Sequence, residues 1–328
     1  MPAVFGPPEI VIASGKGGVG KSTISAAIAI EVARAGHRVV AADADAEAPN
    51  LHIVLGVREW ESEEDFHEGR IAYIDRGRCT ECGICAQVCP FRAVEVVNGH
   101  HVINEMICEG CLTCALACPE KAIRYRVNVV AGKLRVGVTK YGFRLVSGEI
   151  VPGRPNSGKL VTEVKNRAKA LLGSDGVLII DAAAGIGCQV VSSLTGSHIA
   201  ILVAEPTPAS LHDLERVRAL VKHFGMAAAV VINKADLSAE WAARIREYAR
   251  KEDMPVLGEV PYDDAVPRAV AEGVPVTEAY PDSPAARAIR EVARAVAEEI
   301  LPNWLAWYDK YRVKEPHPYT PIIIRPGQ

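Results

Sequence analysis

Short apolar runs alternate along this chain with longer stretches whose apolar residues recur at helical spacing. Ile10 to Ser14 reads as a buried strand, Ser22 to Ala35 as a largely buried helix that Gly36 can stop, and Arg38 to Ala42 as the next strand. The same alternation returns after residue 150. Leu160 to Leu172 is predicted as a helix, Gly176 to Asp181 as a buried strand, and Ile199 to Ala204 as another strand. Then follow a helix over Thr207 to Phe224, a strand over Ala227 to Ile232, a helix over Ser238 to Lys251, a strand over Val256 to Val260 and a last helix from Ala285 to Ile300. Strands alternating with helices predict an α/β fold, a doubly wound and mostly parallel sheet with helices on both faces.

Between residues 58 and 150 the rhythm fails. From Arg58 to Glu68 the chain is acidic and irregular, which predicts a solvated linker leaving the first βαβ unit. Val127 to Thr139 and Tyr141 to Ile150 look like short strands with glycine turns that return the chain to the α/β body.

With 328 residues there is room for one large core plus an extra module. A 49% hydrophobic content and a formal charge of −3 describe a soluble globular chain with no basic excess, so no nucleic-acid partner is expected. No run of about 18 apolar residues occurs, and Met1 to Pro8 lacks the regions of a signal peptide, so no membrane span and a cytoplasmic location are expected. Eight of the nine cysteines lie between Cys79 and Cys118, which in a reducing compartment argues for metal rather than disulfides.

The first apolar run leads into Gly15-Lys16-Gly17-Gly18-Val19-Gly20-Lys21-Ser22-Thr23 and then into the first helix. This is a phosphate loop: its glycines bring backbone N–H groups onto phosphate oxygens at a helix N-terminus, Lys21 can reach the β- and γ-phosphates, and the Ser22 hydroxyl can ligate Mg²⁺. The second lysine, Lys16, makes the stretch resemble the deviant phosphate loop of the MinD/ParA/Mrp ATPases, to which the nitrogenase iron protein is related. The resemblance implies ATP as ligand, a nucleotide-sandwiched homodimer in the ATP state and a Lys16 that reaches the partner's ATP. It also makes Asp43-Ala44-Asp45 the first switch, with Asp45 orienting the attacking water and Asp43 near Mg²⁺. Two aspartates ending a strand in a solvated turn are the plainer alternative. Gly176 to Asp181 with Ala182-Ala183-Ala184-Gly185-Ile186-Gly187 resembles the second switch, in which Asp181 holds the Mg²⁺ shell. Ala183 stands where that turn commonly has proline. Asn233-Lys234-Ala235-Asp236 resembles a guanine-reading motif, yet in MinD relatives the asparagine contacts adenine and a stretch matching Val260-Pro261-Tyr262-Asp263 lines the base. ATP is therefore expected, with Asn233, Asp236 and Pro261 at the base.

Cys79, Cys82, Cys85 and Cys89-Pro90 recur 29 residues later as Cys108, Cys111, Cys114 and Cys118-Pro119. Both runs have the bacterial two-cluster ferredoxin spacing, in which the fourth cysteine crosses to the other cluster. Cys79, Cys82, Cys85 and Cys118 are predicted to hold one [4Fe–4S] cluster and Cys89, Cys108, Cys111 and Cys114 the second, in a mostly apolar shell. A structural staple is the alternative to electron transfer. Cys188 follows Asp181 at the offset of the iron protein's ligand cysteine, but a buried, unreactive residue is the expectation there. Gly153-Arg154-Pro155-Asn156-Ser157-Gly158-Lys159-Leu160 imitates a phosphate loop without its Mg²⁺ hydroxyl or a preceding strand. It reads as a helix cap, although Arg154 and Lys159 could face phosphates. His212 and Asp213 read as packing or solvation residues.

The expected organisation is an ATPase domain over 1–58 and 127–300, an inserted α+β ferredoxin domain over 59–126, and a tail over 301–328 packed on its own domain. The combination resembles MinD-superfamily ATPases with an inserted ferredoxin domain. It implies nucleotide-gated electron transfer to a protein redox partner. The alternatives are cluster or metal delivery to a client metalloenzyme and a redox-sensing scaffold.

Overall fold

The computed structural model describes residues 6–154 and 156–313; Pro155, the N-terminal Met1–Phe5 and the part of the expected tail beyond residue 313 lie outside the described residues. The first half comprises β1 (Glu9–Ser14), α1 (Lys21–Arg34), β2 (Val39–Ala44), α2 (Leu51–Val54), β3 (Trp60–His67), β4 (Arg70–Ile74), α3 (Ile84–Val88), β5 (Val94–Val97), β6 (His100–Ile103), α4 (Thr113–Ala117), β7 (Ile123–Val127), β8 (Val130–Val138) and β9 (Arg144–Ile150). The second comprises α5 (Ser157–Leu172), β10 (Val177–Ala184), α6 (Cys188–Leu194), β11 (Ile199–Ala204), α7 (Pro208–His223), β12 (Ala227–Asn233), α8 (Ala239–Lys251), β13 (Val256–Val260), α9 (Ala265–Ala271), α10 (Val276–Ala279), α11 (Pro284–Arg294) and α12 (Trp304–Tyr311).

Nine strands form the main sheet in the order β13-β12-β11-β1-β10-β2-β9-β8-β3. Pairing is parallel from β13 to β9 and antiparallel over β9, β8 and β3. Both faces of β1 are buried: Ile10 and Ile12 join one core with α1 and α11, while Val11 and Ala13 join the other with α5, α7 and α8. That is why the central strands read as unbroken apolar runs. The connection from β1 through α1 to β2 passes over β10, opening a crevice at the carboxyl end of β1 where ligands bind in such sheets.

The acidic segment expected as a linker, and as the opening of an inserted domain at residue 59, is instead edge strand β3 of the main sheet. Trp60, Ser62 and Phe66 are partly covered, and the carboxylates find cross-strand cations. Glu63 accepts from Lys133 and from Arg135 Nε (2.6 Å), and Glu61 from Arg144 Nε (2.8 Å). Charge pairing across the ladder does here what apolar alternation does elsewhere, so composition alone misreads it.

The elements from β4 to β7 leave the main sheet. They form two two-stranded antiparallel sheets, β4-β7 and β5-β6, with α3 packed against α4 and β5, and α4 against β7. The 29-residue repeat is visible in the backbone: left-handed residues recur as Glu81 and Gly110, Gly83 and Leu112, Arg92 and Lys121. The module is rooted at the end of the β3–β8 ladder, where Glu68 N donates to Val129 O and Asn128 N to Gly69 O. Because His67 pairs with Val130, and Gly132 with Ile150 at the end of β9, this root lies on the carboxyl edge of the parallel strands.

The last long helix is α-helical only to Arg294. A π-helical turn over Ala295–Ile300 and a 3₁₀ turn over Leu301–Asn303 follow, near Pro302, which cannot donate to the helical ladder. Trp304, Trp307 and Tyr308 of α12 pack against the α1/α11 core.

Candidate functional site

The phosphate loop leaves β1 and enters α1 through Gly18 (φ 78°) and Gly20 (φ 90°). Close packing explains two of its glycines. A Cβ at Gly15 would lie 2.4 Å from Asp213 O of α7, and one at Gly20 would lie 2.3 Å from Asn233 Nδ2. Lys21 is buried at the first position of α1, and its Nζ stands 3.4 Å from Asp181 Oδ1. Lys16 is exposed on the loop, and Ser22 and Thr23 are partly exposed on the first turn.

Parallel pairing sets Asp181 beside Asp43 in register across β10 and β2. Asp181 Oδ1 also accepts from Ser25 Oγ (2.9 Å), while its buried Oδ2 has no hydrogen-bond partner. An orphaned, buried carboxylate oxygen beside a phosphate loop suits a Mg²⁺ shell. Asp43 accepts from the backbone N–H groups of Leu51 (2.9 Å), Asn50 (3.0 Å) and Asp45 (3.3 Å). Burial first and the Asp181 carboxylate second push its carboxyl up to about 8. Asp45, partly exposed in the loop after β2, is also raised, by burial above all, with Lys21 pulling the other way.

Across the crevice, Asn233 at the end of β12 donates from Nδ2 to Val19 O (2.7 Å), which ties it to the phosphate loop. Asp236 is exposed and accepts from Tyr262 N (2.6 Å), next to Pro261 at the end of β13. The structure therefore gathers Lys21, Asp43, Asp45, Asp181 and Asn233 around the loop, with Asp236 and Pro261 on the neighbouring strand ends.

In the small module, one cavity is lined by Cys79, Cys82, Cys85 and Cys118, and another by Cys89, Cys108, Cys111 and Cys114. Each takes three cysteines from one run and the fourth from the other. Backbone N–H groups point at the sulfurs: Ala93 N donates to Cys89 Sγ and, 29 residues on, Ala122 N to Cys118 Sγ, both at 3.3 Å. Burial pushes Cys114 up to about 11 and also raises Cys85, so a cation bound by these thiolates would displace protons. The linings are mostly apolar, as expected, with Phe91, Val94 and Ile103 around one group and Ile84 and Ile123 around the other, but they are not sealed. Cys82 and Cys111 are exposed, and Thr80, His101, Glu109 and Glu120 share the linings.

The profile of the CobQ/CobB/MinD/ParA nucleotide-binding domain matches residues 10–276. The chain belongs to that family. An uncharacterized protein of Methanocaldococcus jannaschii is 31% identical over 89% of this chain and 97% of its own length, and an uncharacterized ATP-binding protein of the same organism is 30% identical over 87% and 85%. An iron-sulfur cluster carrier protein of Pyrococcus abyssi is 24% identical over 89% and 86%. Among solved structures, MinD of Pyrococcus horikoshii complexed with Mg-ADP shares the fold with a TM-score of 0.54, at 21% identity, over 89% of this chain and 96% of that one.

In this member of the MinD/ParA family several site residues escape sequence reasoning. Ser25 left a signal, a hydroxyl one turn after Lys21 on an otherwise apolar helix. Glu205 left one too, since it follows an apolar run as Asp181 does; it pairs with Lys234. Gln189 left none. Its Nε2 donates to Glu47 Oε1 (2.7 Å) and its Oε1 accepts from Ala46 N (2.9 Å), joining α6 to the loop after β2. Cys188, expected to be buried, is exposed at the start of α6, although Gly158 of α5 packs closely against its Cβ and carbonyl. The second glycine-lysine loop holds no phosphate geometry: Arg154 Nη1 donates to Glu105 O (3.0 Å) and Lys159 to Glu68 (2.7 Å). It follows β9 directly, contrary to the expectation that no strand precedes it.

Proposed function

We propose that this chain is an ATPase in which MgATP binding, with formation of a homodimer, gates electron transfer through two [4Fe–4S] clusters to a protein redox partner. The carrying observation is the crossed cysteine lining of the two cavities, in a module rooted on the sheet edge that bears the phosphate loop. Lys21 and the loop N–H groups neutralise the transferred phosphoryl group, Ser22, Asp43 and Asp181 serve the Mg²⁺ shell, and Asp45 positions water. Exposed Lys16 is available to a partner subunit, and Asn233, Asp236 and Pro261 serve the base. ATP rather than GTP is favoured by Lys16 and by the ATP-binding relative. When bound by these cysteines, the clusters supply one-electron transfer at potentials that for such centres span about −700 to +450 mV.

Delivery of clusters to a client metalloenzyme is the second reading, drawn from the exposure of Cys82 and Cys111 and from the cluster-carrier relative. Anaerobic EPR-monitored titration with ADP and then with a non-hydrolysable MgATP analogue separates the two. A nucleotide-dependent shift of several tens of millivolts supports gating, since about 59 mV is tenfold in a one-electron equilibrium. Unchanged potentials with cluster transfer to an apo-ferredoxin support delivery.

A further inference from the structure

Gln189 is the second residue of α6, 7% exposed, and its amide bridges to the loop after β2. Its orientation is fixed by chemistry: the Ala46 N–H can only donate, so Oε1 faces it, and the Glu47 carboxylate faces Nε2. Ala46 is fully buried, and its carbonyl accepts from Ile150 N (2.8 Å) at the end of β9. One residue earlier, Asp45 N donates to Asp43 Oδ1 (3.3 Å). The Cα of Asp45 thus sits between two pinned peptides, and Gln189 holds the second. α6 in turn starts directly after Gly185-Ile186-Gly187, the loop that leaves Asp181.

We propose that Gln189 is a positioning residue for ATP hydrolysis: it locks the Asp45–Glu47 loop to the helix that follows the Asp181 strand, so that Asp45 is aligned when the phosphate loop is filled. This rests on the ATPase reading above. No contact of Gln189 with nucleotide is needed; its action runs through the Ala46 peptide. A tie of this kind alters the reacting geometry more than ground-state affinity, so its loss falls on kcat.

The pair Gln189–Glu47 permits a charge exchange as a test. Gln189→Glu keeps the acceptor for Ala46 N–H but sets a carboxylate against Glu47. Adding Glu47→Gln restores one donor and one acceptor with the roles reversed. The expected result is a fall in kcat on the order of tenfold to a hundredfold in Gln189→Glu, with KM for MgATP within about threefold, and recovery of most of that loss in the double variant. Wild-type kcat in Gln189→Glu and Gln189→Leu, a loss confined to KM, or a loss that the double variant does not restore would overturn the proposal. Hydrogen exchange at Ala46 to Leu51 in the nucleotide-free protein gives a readout independent of hydrolysis. Protection lost in Gln189→Glu and regained in the double variant supports the tie; unchanged protection in both overturns it. If the wild type binds MgATP without hydrolysing it, the ATPase reading fails, and the exchange data still decide whether Gln189 holds the loop.

Discussion

Asp181 illustrates how one residue is defined jointly by its strand and by two helix side chains. Its Oδ1 is shared by Lys21 and Ser25 and its Oδ2 is left over. The carboxylate was visible in the sequence as the end of an apolar run; the orphaned oxygen was not, because it depends on which neighbours fail to arrive. His198, next to the start of β11, is a second case. Its Nδ1 accepts from Glu9 N (3.0 Å), and its ring centroid lies 4.9 Å from that of Trp304. Burial lowers its pKa, with Lys169 and Lys165 adding to the shift and Glu9 opposing it. The unfolded chain therefore takes up this proton first as pH falls below about 6.5, and folding stability attributable to His198 is lost on the acid side. Thermal melts at pH 7.5 and pH 5 should show a larger fall in Tm for the wild type than for His198→Asn, whose Oδ1 can accept from Glu9 N at either pH.

At the scale of elements, the turn between β9 and α5 packs against the cysteine module. Gly153 has φ 77°, and a Cβ there would lie 2.3 Å from Met106 O, two residues before Cys108. Arg154 adds its hydrogen bond to Glu105 O. On the other side of that turn Gly158 accommodates Cys188 of α6, with 3.1 Å between the Cys188 Cβ and a Cβ at Gly158. Gly153→Ala is expected to cost about 1–2 kcal/mol for the left-handed backbone alone and to loosen the module from the sheet. Faster hydrogen exchange over residues 100–110, with β10 and β11 unchanged, would confirm that this turn is a local anchor. Equal slowing or speeding across the main sheet would refute it. The sequence hid this role behind an imitation of a phosphate loop, since glycine next to a basic residue serves close packing and anion binding alike.

Over the whole molecule, the two motifs that were separate in sequence lie on the same edge of the sheet, with β10, β2 and β9 between their strands. The phosphate loop leaves the carboxyl end of β1, and the β3–β8 ladder carries the module from the carboxyl end of β9. The crossed cysteine groups make a quantitative demand on the assembled protein. In anaerobically reconstituted protein, Cys118→Ala should lower the iron content from about eight to about four per chain and spare the group of Cys89, Cys108, Cys111 and Cys114. Iron lost from that second group, read by its EPR signal, would instead assign Cys118 to its own run.

The sequence by itself determined the α/β alternation, the phosphate loop and the cysteine repeat, because each depends on local spacing: burial on both faces of a strand, N–H groups converging within one turn, ligands a few residues apart. Asp43 and Asp181 stood out for the same reason, as carboxylates that follow apolar runs. Only the tertiary structure decided that the acidic segment is edge strand β3, since its charges are neutralised by Lys133, Arg135 and Arg144 from elsewhere in the chain. It alone exposed Cys188, and it alone set the Gln189 amide between Ala46 and Glu47, 142 residues from the carboxylate it holds. Such contacts join residues that local pattern never brings together, and their energies depend on what the fold puts opposite them.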